Sequence, residues 1–146
     1  MRQLYLIDNS VTQRIHRAPA VADVVAGLLA TGELASCLPQ LLEECYSARS
    51  GADYRVILDD NRGSKVFLPP DEEVADTAVK LQGLLFAAGS GRAVGVSDLQ
   101  IAATALRHST ETQVVTIVHY DADFDHLARI CPDLRARWIV KPGSVA

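Results

Sequence analysis

The run Val114-Val115-Thr116-Ile117-Val118-His119 constrains the fold more than any other stretch of the chain. It is apolar and β-branched, with no regular alternation of polar residues, the pattern of a strand buried on both faces. Strands of that kind belong to parallel sheets whose two faces are covered by helices. A second run, Leu4-Tyr5-Leu6-Ile7, leads straight into Asp8. In an open sheet of this type, ligands bind in the crevice beyond the carboxyl ends of the strands, so an acid in this place points toward such a crevice. An acid here can equally be a plain cap for the next helix.

The intervening segments carry helical spacing. Ser10 begins a short helix to Arg17. Pro19 heads a longer one over Ala20 to Thr31, with Val21, Val24, Val25, Leu28 and Leu29 in register and Gly32 as its closing residue. Glu33 to Leu38 reads as a second strand. Pro39 suits the first turn of a helix to about Arg49 that carries Leu38, Leu41, Leu42 and Cys45 inward. Gly51 to Asp60 forms another helix, and Lys65 to Leu68 a third strand stopped by Pro69-Pro70. Asp71-Glu72-Glu73 is an acidic first turn, favoured by the helix dipole, for a helix that buries Val74, Ala78, Leu81, Leu84 and Leu85 and ends at Gly89-Ser90-Gly91. Ser97-Asp98-Leu99-Gln100 has the form of a capping box before an Ala-rich helix to Arg107. A helix to Ile130 and a strand from Trp138 to Val140 complete the chain. Strands alternating with helices predict an α/β fold: a three-layer α/β/α sandwich with a mainly parallel sheet, residues 1–146 forming a single domain.

Composition excludes several classes of function. No apolar run approaches the roughly 18 residues that span a bilayer. The N-terminus has no basic region followed by an apolar stretch and a cleavage site, so no secretory signal is read. Cys37, Cys45 and Cys131 are odd in number and lack C-x-x-C spacing, which points to reduced thiols in a cytoplasmic protein rather than disulfides or zinc. The formal charge of −4, from 18 acidic and 14 basic side chains, argues against broad electrostatic binding of nucleic acid but leaves room for a local basic rim.

The chemistry lies in the acids. If the strands are parallel, Asp8 and Asp121 share one edge of the sheet, with Asp123 close by. The helix feeding the strand at Val114 begins at that same edge and brings Asp98 with it; Glu43 lies in the first half of another helix. Two like charges about 4 Å apart repel by roughly 4 kcal/mol at an effective dielectric near 20, so a converged cluster must hold protons or a cation. Oxygen donors without His or Cys at ligand spacing favour Mg²⁺ or Mn²⁺. Plainer readings exist for each acid. Asp98 can be a helix first-turn acid, Asp123 and Asp125 a solvated turn, and Glu43 beside Glu44 a polar face; helical periodicity does not choose between these two glutamates.

Four segments occur in order: Ile7-Asp8-Asn9-Ser10, Leu42-Glu43-Glu44-Cys45-Tyr46-Ser47-Ala48-Arg49, Ser97-Asp98-Leu99-Gln100-Ile101-Ala102-Ala103-Thr104-Ala105 and His119-Tyr120-Asp121-Ala122-Asp123-Phe124. Together they resemble PIN-domain ribonucleases, specifically the VapC-type toxins of bacterial toxin–antitoxin pairs. The resemblance implies a Mg²⁺- or Mn²⁺-dependent endoribonuclease that cleaves RNA and is held inactive by a cognate VapB-like antitoxin, whose basic segments would cover the acidic site. It also implies a homodimer. By motif match, Asp8, Glu43, Asp98 and Asp121 are the catalytic quartet. Asp8, Asp98 and Asp121 hold metal with Asp123 as an accessory acid. The resemblance selects Glu43 over Glu44, leaving Glu44 toward solvent or a partner. Ser10 matches the first motif, where Asn9 stands in a place that usually holds Thr or another residue.

Substrate contacts are expected from Ser10, Arg14 and Arg49, with Arg17 a further basic candidate for the RNA backbone; each arginine is equally explained by surface solubility. Tyr5 and Trp138 are read as core residues. A haloacid-dehalogenase-like phosphatase also begins with a strand ending in Asp, but needs a second Asp two residues on, where Ser10 stands. A response-regulator receiver would need an acid ending the third strand and Lys ending the fifth, which Leu68 and Val140 do not supply. A non-catalytic RNA- or partner-binding PIN module is disfavoured by the presence of every acid of the quartet.

Overall fold

A computed structural model describes all 146 residues. Five strands form one sheet: β1 (Arg2–Ile7), β2 (Glu33–Cys37), β3 (Val66–Leu68), β4 (Gln113–His119) and β5 (Ala136–Trp138). Their spatial order is β3-β2-β1-β4-β5 and every pairing is parallel. The chain therefore walks outward from β1 through β2 to β3, then returns to the other side of β1 as β4. The reversal places the topological switch point between β1 and β4, where open α/β sheets leave their crevice. The three-layer parallel architecture expected from the sequence is the one found.

Seven helices cover the sheet: α1 (Asn9–Thr12), α2 (Pro19–Leu28), α3 (Leu38–Tyr46), α4 (Gly51–Ser64), α5 (Glu72–Ala87), α6 (Val96–His108) and α7 (Asp123–Ile130). Successive strand residues face opposite sides, and β1 serves both cores. Leu4 and Leu6 pack with Val115 and Ile117 against Leu85, Ile101, Phe124 and Leu127 of α5, α6 and α7. Tyr5 and Ile7 pack with Val118 against Val11, Val21, Val25 and Leu28 of α1 and α2. No helix is long and apolar enough to cross a membrane.

Several boundaries differ from the sequence reading for local reasons. Helix α1 stops at Thr12 rather than Arg17; the residue before Pro19, Ala18, is extended (φ −132°, ψ 98°), as a following proline requires, and the chain reaches it through tight turns. The last strand is Ala136–Trp138 rather than Trp138–Val140, because its partner β4 ends at His119, opposite Trp138. Helix α4 continues to Ser64, past the expected end at Asp60. The capping box at Ser97 does not form. Gly95 is the N-cap of α6, Ser97 lies inside the first turn, and Gln100 donates to the Val96 carbonyl instead. Leu38, Leu42 and Leu84, expected to face inward, are exposed, as is Leu29 at the end of the α2 apolar series.

Two glycines play different parts. Gly89 takes φ 78° after α5, and Ser90 and Gly89 donate to the Leu85 and Phe86 carbonyls, closing the helix in a left-handed cap. Gly32, expected from its position to close α2, does so without a positive φ. Its reason is space: a Cβ there would meet the Gln3 carbonyl, and would lie 2.9 Å from the Tyr5 ring. Gly32→Ala should therefore cost about 1–3 kcal/mol by overpacking against the backbone of β1. Gly27→Ala, on α2 with nothing within 4 Å of the added carbon, should stabilise by up to about 1 kcal/mol. Urea midpoints with unchanged slopes measure both.

A candidate metal centre at the switch point

The carboxyl ends of β1 and β4 frame a cavity of about 430 Å³ lined by Asp8, Glu43, Asp98 and Asp121, together with Asn9, Ser10, Gln13 and Ser97. No Lys or Arg lines it. The four acids read from the sequence thus reach one place, each from a different element.

Asp8 follows β1 directly and is only 4% exposed. It is both helix cap and pocket acid: its Oδ2 accepts from the Ser10 amide at 3.1 Å and from the Ser10 hydroxyl. Burial raises its pKa, and Glu43 and Asp121 add to the rise, while the two Ser10 bonds oppose it. The Ser10 hydroxyl also accepts from the Tyr120 amide at 2.8 Å, so it joins the ends of β1 and β4.

Asp98 stands in the first turn of α6. Burial, then repulsion from Asp8 and Asp121, pushes its carboxyl up to about 8. Asp123 adds to that rise. Asp123 opens α7, and its amide donates to Asp121 Oδ1 at 2.9 Å. One oxygen each from Asp98, Asp121 and Asp123 lie within 4.8 Å of one another. Two overlapping sets result: Asp98 and Asp121 belong to both, Asp8 and Glu43 to the cavity wall, and Asp123 to the cluster behind it.

In the sequence His119 marks only a strand end. It is buried between Phe124 and Trp138, with ring centroids at 4.8 and 5.0 Å. Burial lowers its pKa to about 4, so the ring is neutral and its Nδ1 accepts from the Asp121 amide at 3.2 Å. It holds the turn that carries Asp121. A His placed where an apolar strand meets an acidic turn was the available signal.

The adjacent glutamates of α3 point apart, as a step of about 100° per residue demands. Glu43 faces the cavity, where its Oε2 accepts from Asn9 Nδ2 at 3.3 Å. Glu44, expected to face solvent or a partner, instead accepts from Gln40 and Asn61 and lies 3.9 Å from Lys65. The inward stripe of α3 is Gln40, Leu41 and Cys45, with Leu42 56% exposed. Gln40, a polar side chain, leaves no mark in the apolar periodicity.

The basic candidates lie outside the cavity lining. Arg14 stacks 4.5 Å over the Tyr120 ring and donates to the carbonyls of Ser10 at 2.6 Å and Ala146 at 2.9 Å. Arg17 and Arg49 are exposed, and the Arg49 amide donates to Asp53. Tyr5 lies in the core as expected, whereas Trp138 belongs to neither core: half-buried, it packs on the His119 and Tyr120 rings and donates its indole N–H to Asp125.

Residues 5–130 match the PIN domain family. This chain belongs to the PIN-domain family. Ribonuclease VapC21 of Mycobacterium tuberculosis is 34% identical over 144 residues, covering 99% of each chain. Ribonuclease VapC51 of the same organism is 33% identical over 147 residues, 97% of this PIN chain and 96% of the relative. In three dimensions the PIN fold matches VapBC-1 from nontypeable Haemophilus influenzae, with a TM-score of 0.74 at 19% identity over 94% of this chain and 99% of that one. It also matches DNA-bound VapBC from Salmonella typhimurium, with a TM-score of 0.70 at 18% identity over 96% and 100%.

The donors fit a hard divalent cation: every ligand atom offered by the cluster is a carboxylate oxygen. Mn²⁺ at about 100 times its dissociation constant should stabilise the fold by roughly 2.7 kcal/mol. For a chain of this size that is a Tm rise of about 5–10 °C. Asp98→Asn should raise the Tm of the metal-free protein, by removing repulsion, and flatten the Mn²⁺ response. Thermal melts with chelator and with Mn²⁺ test both signs.

Proposed function

We propose that this PIN-domain protein is a VapC-type toxin: an endoribonuclease that hydrolyses RNA phosphodiesters with Mg²⁺ or Mn²⁺ held by Asp8, Asp98 and Asp121, Asp123 assisting. The observation that carries this reading is the convergence of Asp8, Glu43, Asp98 and Asp121 on one cavity that no basic side chain neutralises. When bound, such an ion supplies a nucleophilic water and offsets the charge that builds on the phosphodiester.

The protein's own contribution is placement. Asp8 is locked by two Ser10 bonds, and Asp121 by the Asp123 amide and by His119 beneath its own amide. These acids are therefore set before substrate arrives, which lowers the cost of reorganisation. Glu43, the most exposed of the quartet, takes up the proton released as water attacks. The negative pocket repels RNA until cation occupies it, so substrate affinity depends on metal. Arg49 is the freer backbone contact; Arg14 must give up its bonds to Ser10 and Ala146 to serve as one.

A VapB-like antitoxin and a homodimer complete the reading. Beside the acidic cavity, and sharing Gln13, Glu43 and Ser97 with it, runs a groove of about 490 Å³ lined by Leu38, Pro39, Leu42 and Tyr46. Tyr46 is 90% exposed there. An apolar surface beside a catalytic pocket supports a protein partner that covers both.

Asp98→Asn keeps the side chain's size and should lower metal-dependent cleavage of RNA at least about 100-fold, equivalent to roughly 2.7 kcal/mol of transition-state stabilisation, while circular dichroism shows an intact fold. The same substitution should relieve growth arrest on induction. A folded Asp98→Asn protein with full nuclease activity would exclude the mechanism. Glu43→Gln should lower cleavage at least about tenfold, roughly 1.4 kcal/mol.

A further inference from the structure

The polar residues between α3 and the sheet form a run of hydrogen bonds with one consistent direction. It begins at Glu44, whose carboxylate only accepts. Its Oε2 takes bonds from Gln40 Nε2 at 3.2 Å and Asn61 Nδ2 at 3.0 Å, so both amide nitrogens face it. That fixes the orientation of each amide. Gln40 Oε1 accepts from Asn61 Nδ2 at 3.1 Å and from the Ser36 hydroxyl, and the second Gln40 hydrogen goes to Asn9 Oδ1 at 3.1 Å. Asn9 is left with its Nδ2 toward the Gln40 carbonyl at 3.2 Å and Glu43 Oε2 at 3.3 Å. Turned over, Asn9 would set its carbonyl against the Glu43 carboxylate, oxygen facing oxygen.

We propose that Asn9 is a positioning residue for Glu43, and that Glu44, through Gln40, sets the direction in which Asn9 donates. The inference rests on Glu43 acting in the acidic cavity as proposed above. A neutral donor suits this place for a physical reason. Lys or Arg would hold Glu43 more strongly, but its charge would sit where a divalent cation is needed. An amide orients the carboxylate without competing for the cation. Its own orientation cannot drift, because Gln40 is 0% exposed and all its side-chain hydrogens and its carbonyl oxygen are engaged. Glu44 thus belongs to the function of its neighbour without reaching the cavity.

Two measurements test this on the full chain. In ¹⁵N-labelled protein, both hydrogens of the Asn9 side-chain amide are bonded, so the pair should exchange slowly. Its resonances should move on Glu43→Gln, a change at an exposed position, and also on Glu44→Gln, which alters the first link. Asn9 resonances indifferent to Glu43→Gln would overturn the proposal whether or not the protein cleaves RNA. The second measurement is a double-mutant cycle on cleavage of a synthetic RNA at saturating Mn²⁺. Asn9→Ala should lower kcat about tenfold with KM within about twofold, and should cost less than about twofold in a Glu43→Gln background. Equal losses in both backgrounds would mean that Asn9 acts elsewhere. Asn9→Asp, which keeps the shape and removes the donor, takes its place if Asn9→Ala does not fold. A wild-type chain that cleaves no RNA would remove the nuclease reading, and the amide resonances would then decide the Asn9 contact alone.

Discussion

The parallel pairing of β1 with β4 is the constraint on which everything else depends. It aligns Arg2 with Gln113 through to Ile7 with Val118, so both strands end at the same height. The residues that follow, Asp8 on one side and the Tyr120-Asp121 turn on the other, are delivered to one crevice without further instruction. The Ser10 hydroxyl then closes the gap, donating to Asp8 and accepting from Tyr120. A single register shift would send Leu6 and Ile7 to the wrong cores and separate the acids.

The cost of that arrangement is repulsion, and the structure manages it with hydrogen bonds rather than with cations. Asp8 is held by Ser10 and Asp121 by the Asp123 amide, while burial and its acidic neighbours raise the Asp98 pKa. None of these partners carries a positive charge. The pocket consequently remains electrostatically unsatisfied in the manner required of a site that receives a divalent cation. Stability is given up locally so that the cation's place stays open.

Much of this was legible in the residues. The uninterrupted Val114–His119 run announces a doubly covered strand because period and burial are coupled, and the acids could be counted at element ends once the sheet was parallel. The choice of Glu43 over Glu44 needed the family resemblance, since both flank the inward stripe of α3. What stayed hidden was set by contacts across the fold. Gln40 and Asn61 are buried polar residues bonded to each other across 21 positions, and Gln40 reaches Asn9 across 31, which no local rule anticipates. The end of β5 depends on where β4 stops, and the placement of Gly32 on how closely Gln3 and Tyr5 approach.

Helix α4 brings a consequence of its own. Its one fully buried residue is Asn61, so it is fastened to the body chiefly by an amide and hardly by apolar surface. Segments of that kind detach at low free energy, far below global unfolding. Amide protons of α4 should therefore exchange in a local opening, while those of α6, with Leu99, Ile101, Ala102, Ala103 and Ala105 buried, wait for the whole molecule. Each such opening releases Gln40 and Glu44 from the Asn61 amide.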